Sequence, residues 1–362
     1  MSVDIYYSSS LACISLLIFL YGIIKYKKVY RGNQFLNSNY KSIFFFLTLY
    51  SVFAFAEADT YHYQELYEEL YKAQIPWHVE PVHFWIIKHV PHNYYVWRIF
   101  VWGISAILYI YSFKRFGIQA NVIGYVLTIM MLVPFAQTRG TLGFSLMMFA
   151  LAYYVPLKIK NISRYLLFIL LIVLSTFFHK SLGIYALLYP LAILIPYNKK
   201  SITLSLLCFP ILYLAVYTMS NYILELDFWG EQTVDRGLSY LERGTEGEYN
   251  IYGLLTNSIL WIALLLCFYE TTKFYLNSCH NITIISIQKY AYILVYVSFL
   301  FYGQNISNFL FTRTLNFAMF PLAISFAYYL QNSTRNYIAK VAMFFFLLNT
   351  LYEITYHIYK FN

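Results

Sequence analysis

Long apolar runs recur along the whole chain, and short polar segments separate them. A helix needs about 20 predominantly apolar residues to cross a bilayer. The runs that approach this length are 7–24, 42–57, 95–113, 118–135, 137–156, 165–179, 182–197, 201–222, 251–269, 290–307, 310–330 and 339–357. The pattern predicts an all-α, polytopic integral membrane protein with about 12 transmembrane helices in one transmembrane domain over residues 1–362.

Composition narrows the class of protein further. The 362 residues are 60% apolar and 11% charged, whereas a soluble domain is about 45–50% apolar and about 25% charged. A soluble fold of this composition would expose large apolar patches and aggregate. The net charge of +9 does not indicate nucleic-acid binding, because the charges are sparse and lie between apolar runs. Soluble enzymes, disordered chains and nucleic-acid-binding proteins are therefore excluded, and no nucleic-acid partner is expected.

The distribution of charge predicts the orientation. Most of the 25 Lys and Arg residues fall in every second connection between the predicted spans, and the positive-inside rule assigns these connections to the cytoplasm. Of the 16 Asp and Glu residues, only Glu270 falls in this set of connections. Two long loops, 57–94 and 223–250, then lie on the outer side, and every inner connection is short except 270–289. The first loop shows helical spacing, and its second half, 82–90, is apolar enough to lie in the membrane interface.

Ionisable side chains at membrane depth are costly and are functional candidates by default. Arg139 and Arg313 open two spans at the outer side, and His179 ends another at the same depth. Two guanidinium groups at helix N-termini are suited to clamping a polyanion, since their planar forks donate in pairs to phosphate oxygens. His179 can act as a general base. The alternatives are arginines that snorkel to lipid headgroups and a histidine that is hydrogen-bonded within the bundle.

The outer loops contain the remaining candidates. Asp59 and Glu80 could deprotonate or orient a sugar hydroxyl, or bind a metal ion. Tyr63 could stack on a sugar face and His83 could bind substrate, although aromatic side chains here are also typical of an interfacial belt. The second loop could cover the site and bring Arg236 or Arg243 to the substrate, or could be a plain hydrated loop. The cysteines and histidines show no metal-ligand spacing, so no metal site is predicted.

The order of these residues resembles a known family. Along the chain they are Asp59, Tyr63 and Tyr67 at intervals of four, then Glu80-Pro81, then Arg139-Gly140-Thr141-Leu142, then Phe178-His179-Lys180-Ser181, then Arg313. This order resembles the EpsG family, which belongs with the Wzy-type polymerases of O-antigen, capsule and exopolysaccharide repeat units. The likeness runs from about residue 40 to residue 330.

The resemblance implies a membrane glycosyltransferase with a GT-C-like helical fold in the bacterial cytoplasmic (inner) membrane, with its active site facing the periplasm or the cell exterior. It implies transfer of a glycan from undecaprenyl diphosphate onto the next lipid-linked repeat unit, without a cofactor or metal. Arg139 and Arg313 would hold the diphosphate, and His179, Asp59 or Glu80 would activate the acceptor hydroxyl. The implied partners are the undecaprenyl-diphosphate-linked oligosaccharide, membrane lipid, a chain-length regulator and a flippase.

Four other functions remain open at this stage. A Wzx-type lipid-linked oligosaccharide flippase would need cations along a central path, and no Lys or Arg falls at the midplane of a predicted span. A GT-C transferase that uses a polyprenyl monophosphate sugar would depend on a first-loop acid. An O-antigen ligase differs mainly in its acceptor. A membrane acyltransferase also uses an outer histidine.

Overall fold

The computed structural model describes residues 59–73, 81–119, 122–123, 126, 130, 138–154, 162–179, 182, 188–189, 192, 194–225, 251–277, 281–301, 307–333 and 337–360. This part of the chain is helical and contains no β-strand, which confirms the predicted all-α class. Its helices are α1 (Asp59–Lys72), α2 (Pro81–His89), α3 (Tyr94–Arg115), α4 (Thr138–Tyr154), α5 (Ile162–Phe178), α6 (Lys199–Glu225), α7 (Ile251–Asn277), α8 (Ile282–Leu300), α9 (Ser307–Asn332) and α10 (Tyr337–Lys360).

Several of these helices can cross a bilayer by length and composition. Among the described residues four apolar stretches qualify: Tyr94–Arg115, Lys199–Thr218, Ser258–Asn277 and Thr283–Leu300. Three shorter apolar helices are Gly140–Tyr153, Leu166–Phe178 and Tyr337–Asn349. The predicted spans 7–24 and 42–57 lie outside the described residues, as do most positions of 118–135 and half of those of 182–197. The chain is thus an apolar helical protein of the membrane type.

Helix α9 forms the centre of the bundle. Its middle, from Ala318 to Ala327, is buried on every side, as expected of a helix that neighbours surround. Helix α7 packs on it in the opposite direction, because Tyr275 donates a hydrogen bond to the carbonyl of Ser325 (2.9 Å) and Tyr329 donates to Glu270 (2.7 Å). The core therefore lies where α9 meets α3, α4, α7 and α8.

Helices α3, α4 and α9 run in the same direction. The rings of Tyr109 and Phe144, from α3 and α4, both contact Phe320 of α9, with centroids 5.4 and 4.4 Å away. Towards their C-termini, Gln331 of α9 donates to the carbonyl of Gly117 and accepts from the amide of Gln119, which follow α3. The N-termini of α3, α4 and α9 consequently point to the same end of the bundle.

Helices α1 and α2 cover this end. A separate apolar cluster joins them to the first turns of α3 and α4; its members include Tyr67, Ile86, Trp97, Val101 and Leu142. We call this the α1–α2 end. Burial raises the pKa of Tyr67, because the charged phenolate would lose its hydration, and the hydroxyl therefore stays neutral.

Local hydrogen bonds fix the entry into α3. The side chain of Asn93 caps the helix and accepts from the amides of Tyr95 (2.9 Å) and Val96 (3.3 Å). Lys88 of α2 donates to the carbonyl of Tyr71 near the end of α1, where helix carbonyls lack intrahelical partners. The imidazole of His92 stacks on Tyr71, with centroids 3.7 Å apart. These contacts hold α1, α2 and the start of α3 as one unit.

Helix α5 runs against α4 in the opposite direction, and its C-terminus reaches the α1–α2 end. A Cβ atom placed on Gly143 would lie 2.8 Å from the carbonyl oxygen of Ser175 and 3.0 Å from Cβ of Phe178, and it would overlap Leu182. Such distances are shorter than van der Waals contact. Only glycine allows this approach, which brings the end of α5 against the start of α4.

Helix α6 lies at the periphery. Tyr296 of α8 donates to the carbonyl of Ser205 (2.8 Å) and packs edge to face on Phe209 (5.4 Å). The rest of the helix exposes large apolar side chains, including Leu207 and Ile211, which are 69% exposed. We expect lipid to cover this surface, because exposure of so much apolar area to water is unfavourable.

One predicted connection is wrong. The polar residues of 270–289 indicated a long inner loop, but α7 continues to Asn277 and α8 begins at Ile282. The reason is that the polar side chains satisfy one another between helices: Gln288 donates to Thr271 (3.1 Å), and Thr271 donates to the carbonyl of Cys267 (2.9 Å). Buried polar groups that are paired in this way do not break a helix.

Candidate active site at the α1–α2 end

His179 lies directly after α5, where the helix ends. Its amide donates to the carbonyl of Ser175 (3.3 Å), and its carbonyl accepts from the amide of Leu182 (2.9 Å). Its side chain is neither fully buried nor fully exposed. The backbone is therefore fixed on both sides while the imidazole keeps access to its surroundings, an arrangement that suits proton transfer.

Two helices flank the imidazole of His179. A Cβ atom on Gly140 of α4 would lie 3.6 Å from Cδ2 of His179, and the ring of Phe317 of α9 meets the imidazole edge to face, with centroids 6.2 Å apart. The same Cβ atom would also lie 3.6 Å from Cζ of Phe317. His179 thus sits where α4 and α9 meet. These are the two helices that contain Arg139 and Arg313.

The backbone positions of Arg139 and Arg313 lie at similar depth. The contact layer of Phe144 and Phe320 gives a common reference. At 1.5 Å rise per residue, Arg139 lies about 7 Å and Arg313 about 10 Å from this layer, both towards the α1–α2 end. The side chains of both arginines lie outside the described residues. The expectation that they form one anion site with His179 stays a prediction, and the helices that contain them are adjacent to His179.

His83 is deeply buried at the same end. It projects from α2, is 1% exposed, and packs edge to face against Trp97 of α3 (5.9 Å) and Phe178 of α5 (6.2 Å). Phe178 immediately precedes His179. His83 therefore links the covering helix α2 to the segment that positions His179.

The other candidate residues are only partly within the described chain. Asp59 and Tyr63 fall in the first turns of α1, but their side chains are outside the described residues. Glu80, Arg236 and Arg243 lie outside them entirely. The roles of these five residues stay predictions. Over the residues that the structure does describe, no group of three or more His, Cys, Asp or Glu side chains could hold a metal ion.

One charged residue was missed by the sequence reasoning. Arg98 belongs to the first turn and a half of α3, is 3% exposed, and places its guanidinium over the ring of Tyr94 at 5.7 Å. A buried arginine at this depth is rare. The signal was present in the sequence, because Arg98 follows the outer start of a predicted span just as Arg139 and Arg313 do.

The fold and this end of the bundle define an apolar helical membrane protein with a histidine between two arginine-containing helices. A sequence model of the EpsG family matches residues 39–362, so the chain belongs to the EpsG family. Neither the curated proteins nor the solved structures contain a match to this chain. The family indicates a membrane protein of polysaccharide biosynthesis that is similar to polysaccharide polymerases.

Proposed function

We propose that the chain is a polysaccharide polymerase that transfers an undecaprenyl-diphosphate-linked glycan onto the next lipid-linked repeat unit, on the extracytoplasmic side of the bacterial inner membrane. The observation that supports this proposal most strongly is the contact of His179 with both Gly140 and Phe317. That contact puts a potential base beside the two helices that contain Arg139 and Arg313. EpsG membership supplies the class of reaction.

In the proposed reaction, a hydroxyl oxygen of the acceptor sugar attacks the anomeric carbon of the donor glycan. The new bond is carbon to hydroxyl oxygen, and the bond that breaks joins the anomeric carbon to the diphosphate oxygen. The electron pair of the broken bond stays on the diphosphate. The hydroxyl proton goes to an imidazole nitrogen of His179 and then to solvent, so atoms and charge balance.

Arg139 and Arg313 hold the donor diphosphate in this proposal. A guanidinium donates paired hydrogen bonds to phosphate oxygens. Arg139 is the second residue of its helix, where the dipole also favours an anion, whereas Arg313 is the seventh residue of its helix and acts through its own charge. The charge on the leaving diphosphate grows as the glycosidic bond breaks. Fixed cations that face this charge stabilise the transition state more than the bound substrate.

The membrane environment suits a lipid-linked substrate. The polyprenyl chain stays among apolar side chains while the diphosphate lies at headgroup depth. The described helices expose apolar surface along much of their length, as in α5 with Leu166 and Leu170, each 60% exposed. The orientation with the α1–α2 end outside follows from the distribution of Lys and Arg.

Deletion of the gene followed by gel analysis of surface glycan tests the proposal. A polymerase deletion removes the ladder of long chains and leaves single repeat units attached. Loss of all surface glycan would indicate a flippase instead, and free polymer that is not attached to its acceptor would indicate a ligase. Restoration by the wild-type gene but not by His179→Gln would connect the activity to this site.

A reconstituted assay tests the chemistry directly. The purified chain in nanodiscs is incubated with undecaprenyl-diphosphate-linked repeat units alone, and products are separated by size. We expect longer lipid-linked glycans and an equal amount of released undecaprenyl diphosphate for each bond formed. If longer glycans form only after a polyprenyl monophosphate sugar is added, the proposed donor is refuted.

A further inference from the structure

Arg98 lies on the face of α3 that meets α4 and α9. Spacings of three and four residues put it in line with Trp102, Ser105 and Tyr109, all of which are fully buried. The ring of Tyr109, the last of these residues, stacks on Phe320 of α9. The neighbours Ile99 and Phe100, on the other face, are 50% and 43% exposed. Arg98 is therefore directed into the bundle rather than towards lipid.

Arg98 lies on the same side of the contact layer of Phe144 and Phe320 as the other two arginines, about 6 Å further from it than Arg313 and about 9 Å further than Arg139. Tyr109 shares a contact layer with Phe320, and Arg98 precedes Tyr109 by about 16 Å along the axis of α3. On the same scale Arg313 precedes that layer by about 10 Å. Since α3, α4 and α9 run in the same direction, all three arginines lie beyond the layer on the side of the α1–α2 end.

Neighbouring side chains define the position of Arg98. Its guanidinium lies over Tyr94, and Asn93 caps the helix just before. On the adjacent side of α3, Trp97 contacts His83, which contacts Phe178 beside His179. A cation held in this way is preorganised, because its side chain loses little further freedom when an anion arrives.

The charge of the proposed substrate changes during the reaction. In the donor, each phosphorus of the sugar-linked diphosphate has one ionised oxygen, so the group has two negative charges. Once the glycosidic bond breaks, the terminal phosphate gains a further ionisable oxygen and the free diphosphate approaches three charges above its second pKa of about 6. The positive charges of Arg139 and Arg313 equal in number the two negative charges of the donor, whereas the leaving diphosphate has a third negative charge.

We propose that Arg98 is the third cation of this site and binds the terminal phosphate of the free diphosphate, so that it stabilises the leaving group. This inference rests on the proposed function, since it names the same lipid diphosphate. Arg98 interacts more strongly with the departing diphosphate than with the sugar-linked donor, and it therefore raises kcat with little effect on KM.

Binding of two probes tests the inference without any polymerisation. The probes are undecaprenyl diphosphate and its methyl-capped diester, which lacks the third charge; dissociation constants are measured on the full chain in nanodiscs at about pH 8, above the second pKa of the phosphate. The wild type is expected to bind the free diphosphate roughly tenfold more tightly than the capped probe. Arg98→Gln is expected to abolish this preference while it changes binding of the capped probe less than about threefold.

A matched control is Arg115→Gln, at the opposite end of α3, where the guanidinium lies over Tyr153. It is expected to retain the preference. A wild type without the preference, or Arg98→Gln that keeps it or weakens both probes equally, would overturn the inference. Should Arg98→Gln fail to fold, Arg98→Met decides, because it keeps an unbranched apolar stem at this buried position and removes the charge: loss of the preference supports the inference and an unchanged preference refutes it.

The two proposals fail in different ways. If wild-type protein polymerises lipid-linked repeats but Arg98→Gln keeps the preference for the free diphosphate, only the role of Arg98 is wrong. If Arg98→Gln abolishes the preference but the wild type forms no polymer, the diphosphate site stands and the proposed polymerase is wrong.

Discussion

His179 and Phe317 meet edge to face, with ring centroids 6.2 Å apart, although 138 positions separate them along the chain. This contact joins the end of α5 to the first half of α9. Gly140 of α4 approaches both rings, so three helices converge on one imidazole. A base held by three helices keeps its position while a mobile lipid-linked substrate approaches.

Replacement of His179 by glutamine should abolish most of the activity. Glutamine retains the size and some hydrogen bonding of histidine but cannot accept the hydroxyl proton near neutral pH. We expect kcat to fall about 10²-fold or more with little change in thermal stability. The measurement is the rate of lipid-linked polymer formation in nanodiscs, together with the unfolding temperature. His89→Gln, at an exposed histidine that stacks on Trp85, is the matched control and should keep full activity.

Arg139→Ala and Asp59→Ala distinguish the donor diphosphate from a monophosphate donor. If an arginine clamp holds the diphosphate, loss of Arg139 removes stabilisation of the leaving group and should reduce kcat roughly 10²-fold or more, at least as much as loss of Asp59. The measurement is initial rate with the lipid-linked repeat unit for both variants at equal protein. A far greater loss in Asp59→Ala would favour a transferase whose catalytic centre is a first-loop acid.

Gly143→Ala should destabilise the contact between α4 and α5. The added methyl group would meet the carbonyl oxygen of Ser175 at 2.8 Å, and a backbone atom cannot rotate away. Overpacking of this kind costs about 1–3 kcal/mol, and it would displace the segment that leads to His179. We therefore expect both a lower unfolding temperature and lower activity. Both are measured on the purified protein in detergent and in nanodiscs.

Gly103→Ala is the control for this experiment. Gly103 lies in the middle of α3, and nothing lies within 4 Å of the added Cβ atom. At such a position alanine stabilises a helix relative to glycine by about 0.5–1 kcal/mol. A Gly143→Ala protein that was as stable as Gly103→Ala would show that the two helices do not pack as closely as described.

The apolar pattern was sufficient to predict where many helices lie. The run 137–156 corresponds to α4, which spans Thr138–Tyr154, and the run 310–330 corresponds to α9, which spans Ser307–Asn332. Such segments can be predicted because a helix in lipid must be apolar over its whole length. The family could also be predicted, because the order of the polar residues from Asp59 to Arg313 resembles it, and the family model matches residues 39–362.

Two features could not be predicted from the sequence because they depend on contacts between distant segments. The connection between α7 and α8 is short because Gln288 and Thr271 pair across the helices, whereas polarity alone indicated a loop. The place of Arg98 near the outer start of a span could be seen in the sequence, but its burial depends on the packing of α3 against other helices, which no local pattern encodes. Polar groups inside a helical bundle thus have different consequences depending on their tertiary partners.

The pair Glu270 and Tyr329 lies at the opposite end of the bundle from His179, and its loss should affect stability alone. The buried carboxylate of Glu270 accepts a hydrogen bond from the hydroxyl of Tyr329 at 2.7 Å. Tyr329→Phe removes that donor and should cost about 1–3 kcal/mol, while kcat stays unchanged because the pair is far from the proposed diphosphate. Tyr328→Phe, which removes a hydroxyl from the adjacent, less buried tyrosine, should be neutral in both respects. Unfolding temperature and polymerisation rate are compared for the three proteins, and a folded Tyr329→Phe protein with a large loss of kcat would show that this end of the bundle takes part in the reaction.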